Sequence, residues 1–121
     1  MINLYHYSDK DIIKKLSVNY YGLNYFTKND CAITTVKRLF FYGKPEPERL
    51  LNGARFLYIA EIDEKKLYNL TEDKKGFLKR ARNIDGALRI FKKHYKGIIY
   101  NTGREIINLF NGINYKKKIA L

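Results

Sequence analysis

Residues 4–8 read LYHYS, a short run in which one histidine stands between two tyrosines. Apolar and aromatic side chains dominate residues 2–7, which is typical of a β-strand. His6 is one of only two histidines in the chain. On such a strand it is a packed core histidine with a backbone partner, a metal ligand, or a member of a binding site. A metal site is disfavoured because two histidines and one cysteine offer no paired ligand spacing.

Outward from this run, short strands and helices alternate without a regular βαβ repeat. Turn and cap signals predict helices starting after residue 11 and over residues 28–35, 45–52 and 72–96. Strand-like runs occupy residues 37–42, 55–62, 66–70, 97–101, 105–110 and 113–119. The tight-turn pair Asn111-Gly112 separates the last two of these runs. The order predicts one compact α+β domain over residues 1–121, with mixed or antiparallel sheets and a few helices.

The segment 72–96 has the strongest helical periodicity. Apolar residues recur at four-three spacing, and basic residues recur at the same spacing two positions out of phase. Two residues of helix turn through about 200°, so the two stripes lie on opposite faces. Asn83 or Asp85 can cap a second helix and divide the segment in two. The basic stripe, our candidate partner-binding set, consists of Lys75, Lys79, Arg82, Arg89, Lys93 and Lys96.

Positive charge is concentrated in the last third of the chain. The net charge is +12, and residues 74–121 hold 13 basic side chains against two acidic ones. Such asymmetry predicts an acidic macromolecular partner, either RNA, DNA or a nucleoprotein. The alternative is a solvated, lysine-rich surface with no partner.

Several other classes of function are disfavoured by the sequence. There is no glycine-rich phosphate loop followed by Lys-Ser/Thr. No run approaches the roughly twenty apolar residues of a transmembrane helix, so no membrane partner is expected. Cys31 is the only cysteine, and the first residues do not resemble a secretion signal. We therefore expect a soluble cytoplasmic protein.

Three segments together resemble known motifs. Residues 4–8, LYHYS, are similar to a first-strand motif Tyr-His-Gly-Ser/Thr, and residues 21–27, YGLNYFT, to a later motif Gly-x-Gly-x-Tyr-Phe-Thr. Residues 96–101 and 105–110 resemble a C-terminal pair of strands, the last of which often begins with a glutamate. These are motifs of the ADP-ribosyltransferases of the diphtheria-toxin and poly(ADP-ribose)-polymerase type. Small phage and mobile-element proteins carry degenerate versions of the pattern.

The resemblance implies an ADP-ribosyltransferase-like fold that binds NAD. His6 would hydrogen-bond the adenosine-side ribose, and backbone groups of Tyr7 would hold the nicotinamide amide. Tyr25 would stack on the nicotinamide ring. Glu105 would bind the neighbouring ribose and stabilise its positive charge as nicotinamide leaves. The implied catalytic residues are Glu105, His6 and Tyr25, and the implied NAD-binding set is His6, Tyr7, Ser8, Gly22, Asn24, Tyr25 and Arg38.

The chain departs from the family pattern at two glycine positions. Tyr7 and Asn24 stand where the motifs have glycine. We expect the Tyr7 side chain to point away from the cleft, because a dinucleotide needs the space beside the strand. Glu105 also has a simpler interpretation, as the local ion-pair partner of a neighbouring basic residue.

Two functions follow as hypotheses. The first is an ADP-ribosyltransferase that uses NAD to modify a nucleic acid or nucleoprotein docked on the basic last third. The second is a non-enzymatic, phage-encoded inhibitor, similar in role to an anti-CRISPR protein, that binds a nucleic acid or nucleoprotein through the same region. If phage-encoded, the protein acts in the bacterial host cytoplasm.

Overall fold

In the part of the chain that the structure describes, the main sheet has seven strands, and the protein's first strand lies inside this sheet. The computed structural model describes residues 1–18, 38–100 and 106–121. Its strands are β1 Ile2–Ser8, β2 Lys15–Leu16, β3 Leu39–Tyr42, β4 Phe56–Ile62, β5 Leu67–Asn69, β6 Gly97–Tyr100, β7 Ile106–Leu109, β8 Ile113–Asn114 and β9 Lys117–Ala120. The helices are α1 Phe77–Arg80 and α2 Ile84–His94, and 3₁₀ turns span Pro47–Asn52 and Glu64–Lys66. The predicted α+β class with a mixed sheet is confirmed.

The strand order β5-β6-β7-β3-β1-β4-β9 places β1 inside the sheet. β1 pairs antiparallel with β4 along its whole length, from Ile2 opposite Ile62 to Ser8 opposite Phe56. On its other side it pairs antiparallel with β3. Among the described strands only β5 and β6 run parallel to each other as neighbours, as the two ends of the helical crossover require. β2 and β8 form a separate two-stranded sheet.

A short connection forces the main sheet to curl. β4 and β5 are five strand positions apart, which is about 24 Å in a flat sheet. Only residues 63–66 join them, and even a fully extended chain from Ile62 to Leu67 reaches at most about 18 Å. The connection is shorter still because it forms a 3₁₀ turn, capped by the Asp63 side chain. The sheet therefore bends until its two ends approach each other.

The curl divides the core into three clusters. Inside the concave face lie side chains from β1, β3, β4, β5, β6 and β7, together with Ile12 and Leu16. On the convex side, α2 packs Leu88 and Phe91 against the β5–β6 end of the sheet. A third, aromatic cluster around Tyr7 and Phe40 covers the convex side of β1 and β3. Alternation along β1 thus decides which residues enter which cluster.

The predicted long helix is divided into two, as the cap signals allowed. Ala81 has an extended backbone and ends α1. The Asn83 side chain accepts a hydrogen bond from the Gly86 amide at 2.8 Å and caps α2. Before α1, the Asp73 carboxylate accepts hydrogen bonds from the Tyr68 hydroxyl and from the amides of Leu78 and Lys79. These contacts, with the Tyr68 hydrogen bond the largest, lower the pKa of Asp73.

The predicted helix after residue 11 is wrong. Among residues 9–14 the structure has no helix, because side chains from distant segments hydrogen-bond the backbone N–H and C=O groups instead. The Tyr58 hydroxyl accepts from the Ile12 amide and donates to the Lys10 carbonyl, both at 2.6 Å. The Tyr115 hydroxyl lies 2.8 Å from the carbonyls of Ile12 and Ile13.

The turn at Asn111-Gly112 joins strands of different sheets. β7 pairs with β3 and β6, whereas β8 pairs with β2. A Cβ added at Gly112 would lie 2.5 Å from the Leu16 carbonyl oxygen, so glycine allows this close approach. The predicted strand over 113–119 is correspondingly split into β8 and β9.

The Tyr58 hydroxyl gives the first test of the fold. Tyr58→Phe leaves the Ile12 amide and the Lys10 carbonyl without their partner, so we expect a loss of about 1–3 kcal/mol in the free energy of unfolding. Urea denaturation followed by circular dichroism measures it. Tyr5→Phe is the matched control on the neighbouring strand, with an expected change below about 0.5 kcal/mol. Equal effects of the two changes would refute the role assigned to the Tyr58 hydroxyl.

Candidate functional site

The predicted site begins on β1, where alternation separates His6 from its tyrosine neighbours. Leu4 and His6 are buried on the concave side of the sheet, next to Phe41 and Tyr58. Tyr7 points to the convex side, where its ring meets that of Tyr42 edge-on with centroids 6.2 Å apart. The period of two along a strand produces this separation.

His6 is held in one tautomer. Its Nδ1 lies 2.7 Å from the Phe40 carbonyl oxygen. A carbonyl only accepts, so Nδ1 carries the proton and donates it, and Nε2 is left as an acceptor. Burial lowers the pKa of His6 to about 4, while the hydrogen bond to Phe40 acts in the opposite direction. The imidazole is therefore neutral at pH 7.

The second nitrogen of His6 has no partner within the described part of the chain. Nε2 is buried and makes no hydrogen bond there. The aromatic rings nearest to the imidazole belong to Phe41, with a centroid separation of 5.4 Å, and Tyr58, at 6.4 Å. An unsatisfied buried acceptor costs about 1–3 kcal/mol, so Nε2 is a point at which a hydroxyl or amide donor would be stabilised.

Tyr7 and Ser8 are both fixed by backbone contacts. The Tyr7 hydroxyl accepts from the Glu46 amide at 2.9 Å on the side of the sheet away from His6. This orientation is the one expected for a tyrosine at the glycine position of the resembled motif. Ser8 is fully buried, and its hydroxyl accepts from the Lys10 amide at 3.1 Å. The side chain of Ser8 thus shapes the turn that leaves β1.

Arg38 is buried directly before β3, with 4% of its surface exposed. A buried guanidinium one residue before the strand next to β1 is uncommon and marks a position that structure or function requires. The four other implied NAD-site residues, Gly22, Asn24, Tyr25 and Glu105, lie outside the described residues. Their convergence with His6 on one cleft therefore stays a prediction.

The basic stripe is exposed, but its members do not form one row. Lys75 lies before α1, and its ammonium group sits 5.4 Å from the centre of the Tyr95 ring. Lys79 is on α1, whereas Arg89 and Lys93 are one turn apart on α2. Arg82 lies between the helices, and Lys96 follows α2. The break at residues 81–83 ends the common helical phase on which the stripe was predicted.

Sequence reasoning missed three further basic side chains close to this region. Lys65, Lys66 and Lys92 line one cavity together with Lys93 and Lys96. Lys65 and Lys66 belong to the turn after β4, more than 25 residues earlier in the chain. The parallel pairing of β5 with β6 brings Lys65 and Lys66 to the end of α2. No local sequence pattern predicts this proximity.

Comparison with protein-family models, curated proteins and solved structures found no match. Within residues 1–18, 38–100 and 106–121, no group of three or more histidine, cysteine or acidic side chains could hold a metal ion. No helix in the same residues is long and apolar enough to cross a membrane.

The pH dependence of the free energy of unfolding tests whether His6 is buried in its neutral form. Its pKa is below 6.5 in the folded protein, so the unfolded chain binds the proton first and stability falls as pH decreases from about 6.5 to about 4. A shift of this size corresponds to about 3 kcal/mol lost between pH 7 and pH 4. Urea denaturation at several pH values measures the loss.

His6→Asn removes this titration, so the variant should lose about 3 kcal/mol less than the wild type over the same range. Asn can still donate an N–H to the Phe40 carbonyl, which limits the disturbance. Asn114→Gln, an exposed change that neither adds nor removes a titratable group, provides the control and should keep the wild-type pH dependence. A His6 variant with the wild-type pH dependence would disprove the neutral, buried imidazole.

Proposed function

We propose that the protein is an ADP-ribosyltransferase-like enzyme that uses NAD to modify a nucleic acid or nucleoprotein. The single observation that carries the proposal is the neutral His6 imidazole, whose Nδ1 donates to Phe40 and whose Nε2 is an unpartnered acceptor in the described chain. A ribose hydroxyl is the kind of donor that such a nitrogen accepts. This is the role that the resemblance of residues 4–8 gives to the motif histidine.

Two further features are consistent with NAD at this strand. The side chain of Tyr7 does not occupy the His6 side of the sheet, since its hydroxyl is anchored at Glu46 on the opposite side. The backbone of β1 is immobilised by β3 and β4 on its two edges. His6 itself is 1% exposed, so a dinucleotide reaches Nε2 only when the side chains that cover it move aside.

In the proposed reaction, the main task of the protein is to position NAD. NAD supplies a ribose whose leaving group, nicotinamide, is already cationic. The bond between ribose and nicotinamide breaks with the electron pair going to nicotinamide, and a nucleophile of the target forms the new bond and loses its proton to water. In the proposed site His6 orients the adenosine-side ribose, Tyr25 stacks on nicotinamide, and the Glu105 carboxylate faces the developing positive charge.

Transfer from labelled NAD tests this proposal. The wild type should label a macromolecule in a cell lysate and release nicotinamide, and Glu105→Gln should reduce both by at least about 100-fold, the range typical of losing one electrostatic contact to the transition state. Glu64→Gln, a change of the same kind at an exposed turn, is the control and should keep full activity. Scintillation counting after gel separation and chromatography of nicotinamide are the readouts.

Binding is measured separately from transfer. NAD should raise the melting temperature of the wild type, and His6→Asn should abolish that rise while leaving the protein folded. No transfer together with no effect of NAD on melting would end the enzyme proposal.

A second candidate function is non-enzymatic binding of a nucleic acid or nucleoprotein. It is supported by the exposure of the basic residues that follow residue 74, of which Lys79, Lys93 and Lys96 are examples. Such a binder, including a phage-encoded inhibitor, needs no NAD. It predicts partner binding that is unchanged by Glu105→Gln and by NAD.

A further inference from the structure

A cationic cavity lies between the end of α2 and the turn that precedes β5. It has a volume of about 360 Å³ and is bordered by Tyr95 and Asn111 as well as by lysines. The backbone fixes its two sides, since the Lys96 amide donates to the Lys66 carbonyl at 2.8 Å and the Phe110 amide donates to the Lys96 carbonyl at 3.0 Å. Its lysines are Lys65, Lys66, Lys92, Lys93 and Lys96.

The lysines of this cavity have no acidic ion-pair partner in the described part of the chain. No carboxylate of the described residues lines the cavity. The carbonyl end of α2 is favourable for Lys92 and Lys93, but it does not account for Lys65 and Lys66, which come from another element. Like charges that line one cavity repel one another, and a polyanion would relieve that repulsion.

A second cavity of about 450 Å³ adjoins the first and shares Lys66, Lys96 and Asn111 with it. Its volume is in the usual range of small-molecule sites, roughly 300–1,000 Å³. Apolar side chains form much of its wall, namely Met1, Ile62, Leu109 and Ile113. This chamber is suited to a flat, partly apolar group attached to the anion in the first cavity.

The two acidic residues of the second cavity are already engaged. The Glu61 carboxylate lies 3.4 Å from the Lys116 ammonium group. The Asp63 carboxylate accepts from the Lys65 amide at 3.0 Å as the cap of the 3₁₀ turn. Neither carboxylate lines the cationic cavity itself, whose wall contains lysines and no acidic side chain of the described residues.

We infer that this double cavity binds single-stranded nucleic acid, with backbone phosphates on the lysines and an unstacked base in the adjoining chamber. Phosphates complement ammonium groups without needing a fixed geometry. A single strand offers bases that can leave the stack and enter a protein chamber, whereas a duplex does not. The inference names the target class and docking site of the proposed function, yet it requires no NAD.

Fluorescence anisotropy with a labelled single-stranded oligonucleotide, in the absence of NAD, tests the inference. Lys65, Lys66 and Lys96 are all replaced by Gln in one variant, which leaves the lysines of α2 in place. We expect about a tenfold weaker affinity at about 100 mM salt, and a slope of log affinity against log salt smaller by about 2, since each phosphate contact contributes about 0.7 for single strands.

The matched control replaces Lys10, Lys14 and Lys44 by Gln, which removes the same charge from exposed positions away from the cavity. Its affinity should fall less than threefold. Equal losses in the two variants would mean that only net charge attracts the strand, and that result would overturn the site. Melting curves confirm that both variants are folded, so a loss of binding is not a loss of structure.

Three other ligands test whether the cavity prefers single-stranded nucleic acid to other polyanions. An oligonucleotide of the same length and charge with abasic positions should bind at least threefold more weakly, because it has no base for the chamber. A duplex should also bind more weakly than the single strand. Equal binding of either, or equally effective competition by polyglutamate of the same charge, would overturn the inference in favour of general anion attraction. Because NAD is absent, failure here leaves the NAD experiment of the proposed function intact, and the reverse also holds.

Discussion

The short connection between β4 and β5 is the constraint on which the rest of the structure depends. Residues 63–66 must join strands at the sixth and first positions of the sheet, and they can do so only if the sheet curls. The curl creates a concave side that is filled by the largest apolar cluster. The turn that carries Lys65 and Lys66 reaches the end of α2 through the pairing of β5 with β6. The environment of His6 therefore follows from the short connection, whereas the lysine cavity follows from this strand pairing.

The curl gives the histidine of β1 its unusual environment. On a flat sheet with one solvated face, a polar residue in position 6 could be hydrated. Inside the concave side, His6 meets aromatic rings, loses its proton and keeps one nitrogen bonded to the Phe40 carbonyl. The remaining nitrogen is an acceptor without a partner in the described residues. A buried, neutral and oriented imidazole has the properties required to receive a sugar hydroxyl, which is why the NAD proposal is centred on it.

Local patterns predicted elements well where the chain satisfies its own hydrogen bonds. The Asn83 cap is an example, since its hydrogen bond joins residues three positions apart in sequence. The predictions from local patterns failed where a side chain from a distant segment hydrogen-bonds the backbone. Ser8 and the polar residues after it have the composition of a helix start, but the hydroxyls of Tyr58 and Tyr115 bind the backbone that the helix would have used. No pattern within residues 8–16 contains that information.

The sequence and the tertiary structure also contribute different information about the candidate sites. The sequence by itself determined the α+β class, a first strand with His6 and Tyr7 on opposite faces, and the excess of positive charge from residue 74 onward, because these follow from side-chain alternation and composition. Only the tertiary structure decided that His6 is neutral and that its Nε2 has no partner among the described residues, since burial and the Phe40 carbonyl come from other strands. It also decided which lysines line one cavity. Lys66 and Lys96 are thirty residues apart and become neighbours through the pairing of β5 with β6, a contact that no sequence period encodes.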